Sequence, residues 1–356
     1  MAVDVMTETT QLAILSELRT QAALLNIIAQ GHQIDSPETL QWLCATGQIN
    51  LWFSVGDVIY IPWTDNTGDT PVEYSLPFVV VHIGDVYDQN NTLHHNGLWL
   101  MAMYAAPHDM PFDAPESTTV DLTTEVTAQE GWYYWGVAGT TYTALNLNPG
   151  DVIPGNYSSV RKSTINNVDV LKSGYNRWSQ SAYRQWLNSE AAKDEGWWTE
   201  QHTGDVAPSP TIVNLPGWLN GFSSDWRAIF QPVKVETACN TITDGGETDV
   251  TYDRFFLPSL EQVYAVPQAD GVEGGFWEYW QNETGFDTPY NGSAADSSDA
   301  RKIPTAANQA GSAVNIRLRS ALLGNAHYGW SIRSGGYVDG NSVSAQCYAM
   351  PACVIY

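Results

Sequence analysis

The sequence predicts an α+β fold, and three observations carry that prediction. A helical stripe opens the chain, the periodicity switches to two residues at Leu51, and an apolar segment, Pro351 to Tyr356, closes it. Helices placed ahead of a run of strands mark a mixed fold rather than alternating strand–helix units. Short helices, long irregular loops and a final strand able to pair with an early one further predict a closed, loop-in-loop domain. On that reading Cys353 and Ile355 pair beside Val58 and Tyr60, which brings the ends of the domain together.

The elements follow in order. Over residues 9–30, Leu15, Leu18, Ala22, Leu25 and Ala29 recur at three- and four-residue steps, and Gly31 supplies the stop. The stripe is too broad for water, so residues 1–48 read as an anchoring or oligomerisation segment with Leu15, Leu18, Leu25 and Ile28 in contact. About three heptads suit a small helical bundle, hence a homo-oligomer such as a trimer. A second helix has Ser36 as N-cap, Pro37 at its first position and Gly47 at its end. Residues 51–62, 76–83 and 98–104 read as strands, rich in valine, isoleucine and aromatics. Residues 117–166 are threonine-rich, carry the Gly131–Trp135 cluster and read as a small inserted β unit. That insertion divides the main domain into 49–116 and 167–356. Short helices are expected at 179–189, at the Ser223 cap and at 258–264. Gly/Ser/Asp-rich loops around 284–300 lead to the terminal strands.

Composition excludes several functions. The 356-residue chain carries 15 Lys and Arg against 39 Asp and Glu, a net charge of −24. Arg19 is the only Lys or Arg before Arg161, against eighteen acidic residues over 1–160. No basic face is available to neutralise phosphates, which argues against nucleic acid, and anionic membrane surfaces would repel the chain. No apolar run approaches the roughly twenty residues of a membrane span. Residues 1–4 lack the basic region and apolar run of a signal peptide, so the product is expected in the cytoplasm where it is made until assembly moves it. Cys44, Cys239, Cys347 and Cys353 are scattered and read as small buried residues; spacing alone does not support a Cys347–Cys353 bridge.

Residues 311–356 carry the strongest functional signal. From Ser320 to Met350 only Arg333 and Asp339 are charged, and glycine, asparagine and serine alternate with Tyr328, Trp330, Tyr337 and Tyr348. Tyrosine and tryptophan give large contact area at low entropy cost, and small polar residues give adaptable hydrogen bonds, as on a recognition surface. The plainer reading is a run of tight hairpins, since the same residues form turns.

Specific wording deepens the first reading. Ile316-Arg317-Leu318-Arg319-Ser320, the stretch Gly324 to Trp330 and the closing Pro351-Ala352-Cys353-Val354-Ile355 resemble the carboxyl end of phage and prophage virion proteins with a C-type-lectin-like fold. These are akin to the variable proteins of diversity-generating retroelements. Tyr175 to Ser189, Phe255 to Ser259 with Glu261, Val263 and Tyr264, and Gly56-Asp57 extend the resemblance over most of the chain after residue 49. Two positions depart from the family pattern, Ile316-Arg317 where paired tryptophans are usual and Met350 where an arginine is. The resemblance implies a C-type-lectin-like domain with amino-terminal helices, carried on a virion as a capsid decoration, head fibre or tail-associated protein. Its ligand would be a host surface glycan or protein, met by Tyr328, Trp330, Arg333, Tyr337, Asp339, Asn341 and Tyr348. Capsid or other virion proteins are the expected partners. A purely structural decoration protein is the alternative, and the acidity suits docking on a basic particle surface.

Catalysis finds little support. No His-x-x-x-His helix, nucleophile elbow or phosphate-cradling loop occurs, so no catalytic residue, metal or cofactor is expected. His94-His95 and His108 read as loop histidines. Glu273, Glu278 and Glu283 lie among Phe276, Trp277, Tyr279 and Trp280, the setting of a sugar-cleaving cleft, which keeps a polysaccharide-degrading enzyme as a third reading. Asp244, Glu247, Asp249 and Asp253 form an acidic loop without the ordered spacing of a calcium loop.

Overall fold

A computed structural model describes residues 35–114, 174–202, 205–264, 273–281 and 313–356, with Leu18 and strand segments between 120 and 171. Leu18 is helical and more than half exposed. Leu15, Leu25, Ile28, Glu283 and the 284–300 loops lie outside the described residues. Helices and sheets are mixed, as an α+β fold requires.

Helix α1 spans Pro37–Thr46 with the expected caps. Ser36 Oγ accepts the Thr39 amide, and Gly47 (φ 73°) turns its own amide back to the Leu43 and Cys44 carbonyls. Leu40, Leu43 and Cys44 face the core; each buried Leu contributes about 1.5–3 kcal/mol. The first strand, β1, begins at Val58 rather than near 51. A short 3-10 turn, Gly56 at φ 98° and the Ser54 amide bonded to the Asp57 carboxylate (2.8 Å) occupy the interval.

Strands β1 (Val58–Asp65), β2 (Val72–Tyr87) and β3 (Leu93–Ala102) form an antiparallel sheet with the terminal strand Ala352–Ile355. The terminal strand pairs with β3, Val354 opposite Trp99, and not with β1. The expected neighbours Val58 and Tyr60 are in the same sheet but three strand spacings away, roughly 14 Å. Burial explains the outcome. Ala352–Ile355 is buried throughout, whereas β1 is the outer strand and turns Val58 and Tyr60 to solvent. Phe256 bridges Ala352 from the terminal strand's other side. Gly97 permits this pairing, since a Cβ there would come within 2.8 Å of Val86 and 3.1 Å of Val354.

His94 and His95 lie on β3 rather than in a loop. The preceding turn runs from Asp88 to Thr92, and in it Asp88 Oδ1 accepts the Asn90 and Thr92 amides. His94 packs on Tyr356 at 4.3 Å and His95 bonds Asp85 at 2.9 Å.

The inserted unit forms a sheet in the order Val168–Leu171, Tyr157–Ile165, Trp132–Ala138, Thr141–Leu145, with Val120–Leu122 also on Tyr157–Ile165. Val168–Leu171, which follows the expected end of the insertion at 166, pairs with Tyr157–Ile165.

The helix expected over 179–189 is two pieces, a 3-10 turn Trp178–Gln180 and a helix Ala182–Leu187. Ser181 separates them because it is extended and caps the second piece through the Arg184 amide. The arrangement drives Trp178, Tyr183 and Trp186 into a core shared with Trp218, Phe222, Phe230 and Phe255. All four cysteines are buried thiols, Cys347 and Cys353 included. No helix among the described residues is long and apolar enough to cross a membrane.

Candidate functional site

Three antiparallel strands, Ile316–Ala321, Tyr328–Ile332 and Val338–Ser342, build the terminal hairpins. Asn325 Oδ1 caps the His327 amide in the first turn, and Gly336 (φ 80°) closes the second, where the Arg333 amide donates to the Tyr337 carbonyl. Side chains alternate, and cross-strand partners share a face. Ile316 opposite Ile332, and Ile332 opposite Val338, fix the apolar face, and Trp330 belongs to it.

That register sorts the expected ligand-binding residues. Trp330 is only 8% exposed and packs in the core, so it is not an outward anchor. The segment misled because both faces of this strand are covered, which erases the polar–apolar alternation. Tyr328 is exposed but emerges at the far end of Trp330's face. Arg333, Tyr337, Asp339 and Asn341 gather on the opposite face around the second turn, all half-buried. Arg333 pairs with Asp339 at 2.9 Å. Tyr348 is half-buried and packs against the core, its backbone bonded to Asn315 and Arg317. The structure thus groups four of the seven residues into one patch.

A set of clamps holds the hairpins from within. Arg317 is fully buried and donates to the Gly329, Asn341 and Ser342 carbonyls at 3.2, 3.1 and 2.7 Å, and to Cys347 Sγ at 3.6 Å. Burial pushes its guanidinium below the usual arginine range, with the Cys347 and Tyr183 side chains opposing that shift. Asn176 donates to the Asn325 and Tyr328 carbonyls at 2.5 and 2.7 Å. Tyr264 holds the Gly336 carbonyl at 2.6 Å. Strand pairing leaves some hairpin carbonyls to be satisfied from within, and these side chains do so. No sequence signal flagged Arg317 or Asn176 as clamps; the first looked like a departure from a family pattern.

The acidic loop has a different job from holding calcium. Arg177 bonds both oxygens of Asp249, at 2.6 and 2.8 Å, and also reaches Asp244. Asp253 accepts Arg184 Nε at 2.7 Å, Trp178 Nε1 at 2.9 Å and Thr251 Oγ1 at 2.6 Å. Burial raises the Asp249 carboxyl, but hydrogen bonds from Arg177 and Ser179 outweigh it and hold the group below the usual range. The carboxylates tie the Thr248–Asp253 strand to the Trp178–Leu187 region.

Glu273 lines a cleft of about 150 Å³ with Arg319, Gln262, Trp99, Lys234 and Glu236. Its carboxylate is 1% exposed and accepts from the Ala238 amide and Ser320 Oγ. Burial raises it to about 7, against the pull of Arg319. Arg319 itself donates to the Leu257 carbonyl and Gln262 Oε1 at 2.9 and 2.7 Å, and burial lowers it to about 10. Glu278 sits half-exposed beside His82 at 3.5 Å.

These features define an α+β domain with a polar patch mounted on internally clamped hairpins. The chain belongs to the DUF6273 family, a domain of unknown function, which matches residues 158–356. That match takes in the end of the inserted unit, the arginine–aspartate framework and the hairpins. No curated protein and no solved structure matches the chain.

Proposed function

We propose that this is a non-enzymatic recognition protein of a virion, in which a C-type-lectin-like domain presents the second terminal turn to a host surface glycan or protein. One observation supports it above others: the buried Arg317 and Asn176 and the half-buried Tyr264 are spent on fixing hairpin carbonyls. Rigid backbone beneath adaptable polar side chains lowers the entropy cost of binding. Arg333, Tyr337, Asp339 and Asn341 are the contact residues on this reading, and Tyr337 is the aromatic anchor.

The test is adsorption of the purified protein to host cells. Tyr337→Ala with Asn341→Ala abolishes adsorption and leaves Tm nearly unchanged, whereas Trp330→Ala costs about 3–5 kcal/mol of stability through the cavity it leaves. Undiminished adsorption by the double variant would sink the reading. The charge of −24 favours a second, purely structural role on a basic particle surface. Particles lacking the protein would then adsorb normally and lose heat resistance.

A further inference from the structure

Asp113, His202 and Asp205, none of them a member of the hairpin patch, come together with their ligand-type atoms all within 4.8 Å of one another. Asp113 is 2% and Asp205 8% exposed. Each carboxylate is oriented through one oxygen by a backbone amide: Tyr175 N donates to Asp113 Oδ2 at 2.6 Å and Gln201 N to Asp205 Oδ2 at 2.9 Å. The Asp205 amide bonds the His202 carbonyl at 3.0 Å, which holds these two residues close together. The His202 ring sits edge-on to Tyr175 at 5.4 Å, which limits its rotation. The imidazole thus supplies a nitrogen donor at the point where the two carboxylates supply oxygens.

We propose that Asp113, His202 and Asp205 bind a first-row divalent cation of the zinc class. The donor set decides the ion. Calcium takes six to eight oxygens and magnesium an octahedral, largely hydrated shell, whereas zinc accepts imidazole and carboxylate together in three-ligand sites with water as the fourth partner. Tetrahedral zinc sets its ligand atoms roughly 3.4 Å apart, so the three side chains close by no more than about 1.4 Å. A cleft of about 430 Å³ is walled by Pro111, Ala114, Ala207, Pro208, Ser344 and Gln346, which are close in sequence to Asp113 and Asp205 or end the hairpin region. The Asp113 amide bonds the Val343 carbonyl at 3.2 Å, so the bound ion ties His202 and Asp205 to the base of the hairpins. The site is structural on this reading, and it stands independently of what the patch recognises.

The full-length protein is stripped with a chelator, dialysed and titrated calorimetrically with zinc chloride, with calcium and magnesium chlorides as comparisons. One zinc per chain is expected, with Tm raised by about 5 °C at zinc a hundredfold above its Kd, and no response to calcium or magnesium. His202→Gln and Asp205→Asn each weaken zinc binding by more than about tenfold, while His95→Ala, on the surface beside Asp85, leaves it unchanged. Metal-free Tm is read for every variant, so that a folding defect in one leaves the other decisive. Substoichiometric zinc, equal loss in His95→Ala, or an equal response to calcium overturns the proposal.

Discussion

Two pairs of arginines hold this molecule together by different means. Arg177 and Arg184 meet Asp249 and Asp253, keep about a quarter of their side chains in contact with water, and link segments some seventy residues apart. Arg317 and Arg319 are fully buried, and most of their donors go to backbone carbonyls. The first pair joins elements through charge. The second fixes the course of the backbone, because a planar fork of donors reaches several carbonyls at once.

Removing Arg317 is the sharpest way to break that contrast. Arg317→Met orphans the Gly329, Asn341 and Ser342 carbonyls, and denaturant unfolding is expected to show a loss of about 4 kcal/mol. A loss no larger than that of Arg177→Met would show that the two pairs work alike.

Glu273, beside Arg319, gives the next largest effect. Its folded value of about 7 lies above the ordinary 4.5, so between those limits the folded chain holds a proton that the unfolded chain has released. Stability therefore falls as pH rises through that window. Glu273→Gln keeps an acceptor for the Ala238 amide and removes the charge. Tm should rise at pH 8, by the equivalent of roughly 3 kcal/mol, and stay level at pH 4. An unchanged pH profile would place the titration elsewhere.

The charge-paired arginines respond in the opposite sense. Asp249 is depressed, so the stability it contributes is present above its ordinary 3.8 and is lost as pH falls through the lower folded value. A double-mutant cycle with Arg177→Met and Asp249→Asn should give an interaction of about 1–3 kcal/mol at pH 7 that fades in strong acid. The smallest effect belongs to Arg333 and Asp339, whose half-buried pairing at the hairpin surface is worth under about 1 kcal/mol, so Arg333→Gln should leave Tm nearly unmoved.

Legibility in the sequence followed locality. Ser36, Pro37 and Gly47 announced their helix because a cap is a contact across three or four residues. The Ser223 cap was readable for the same reason. The class of fold showed in the change of period at the first strands. What failed was long-range. The sequence contains no mark that Asp249 waits for Arg177, or that Ala352–Ile355 chooses β3 over β1. Tyr337, Asp339 and Asn341 stand out together in the sequence, yet so does Trp330, because its burial depends on elements distant in the chain. His202 drew no notice, since its companion Asp113 lies 89 positions earlier and only folding unites them.

The pairing of the terminal strand with β3 has a consequence for synthesis. Cys353 lies opposite Leu100, so a ribosome must add roughly 250 more residues after β3 before its open side is covered. At about 5–20 residues per second, a nascent chain carries that bare apolar strand for on the order of ten to fifty seconds. Production of this protein in quantity should therefore depend on chaperone supply and on slow, cool expression far more than the finished molecule's high net charge would indicate.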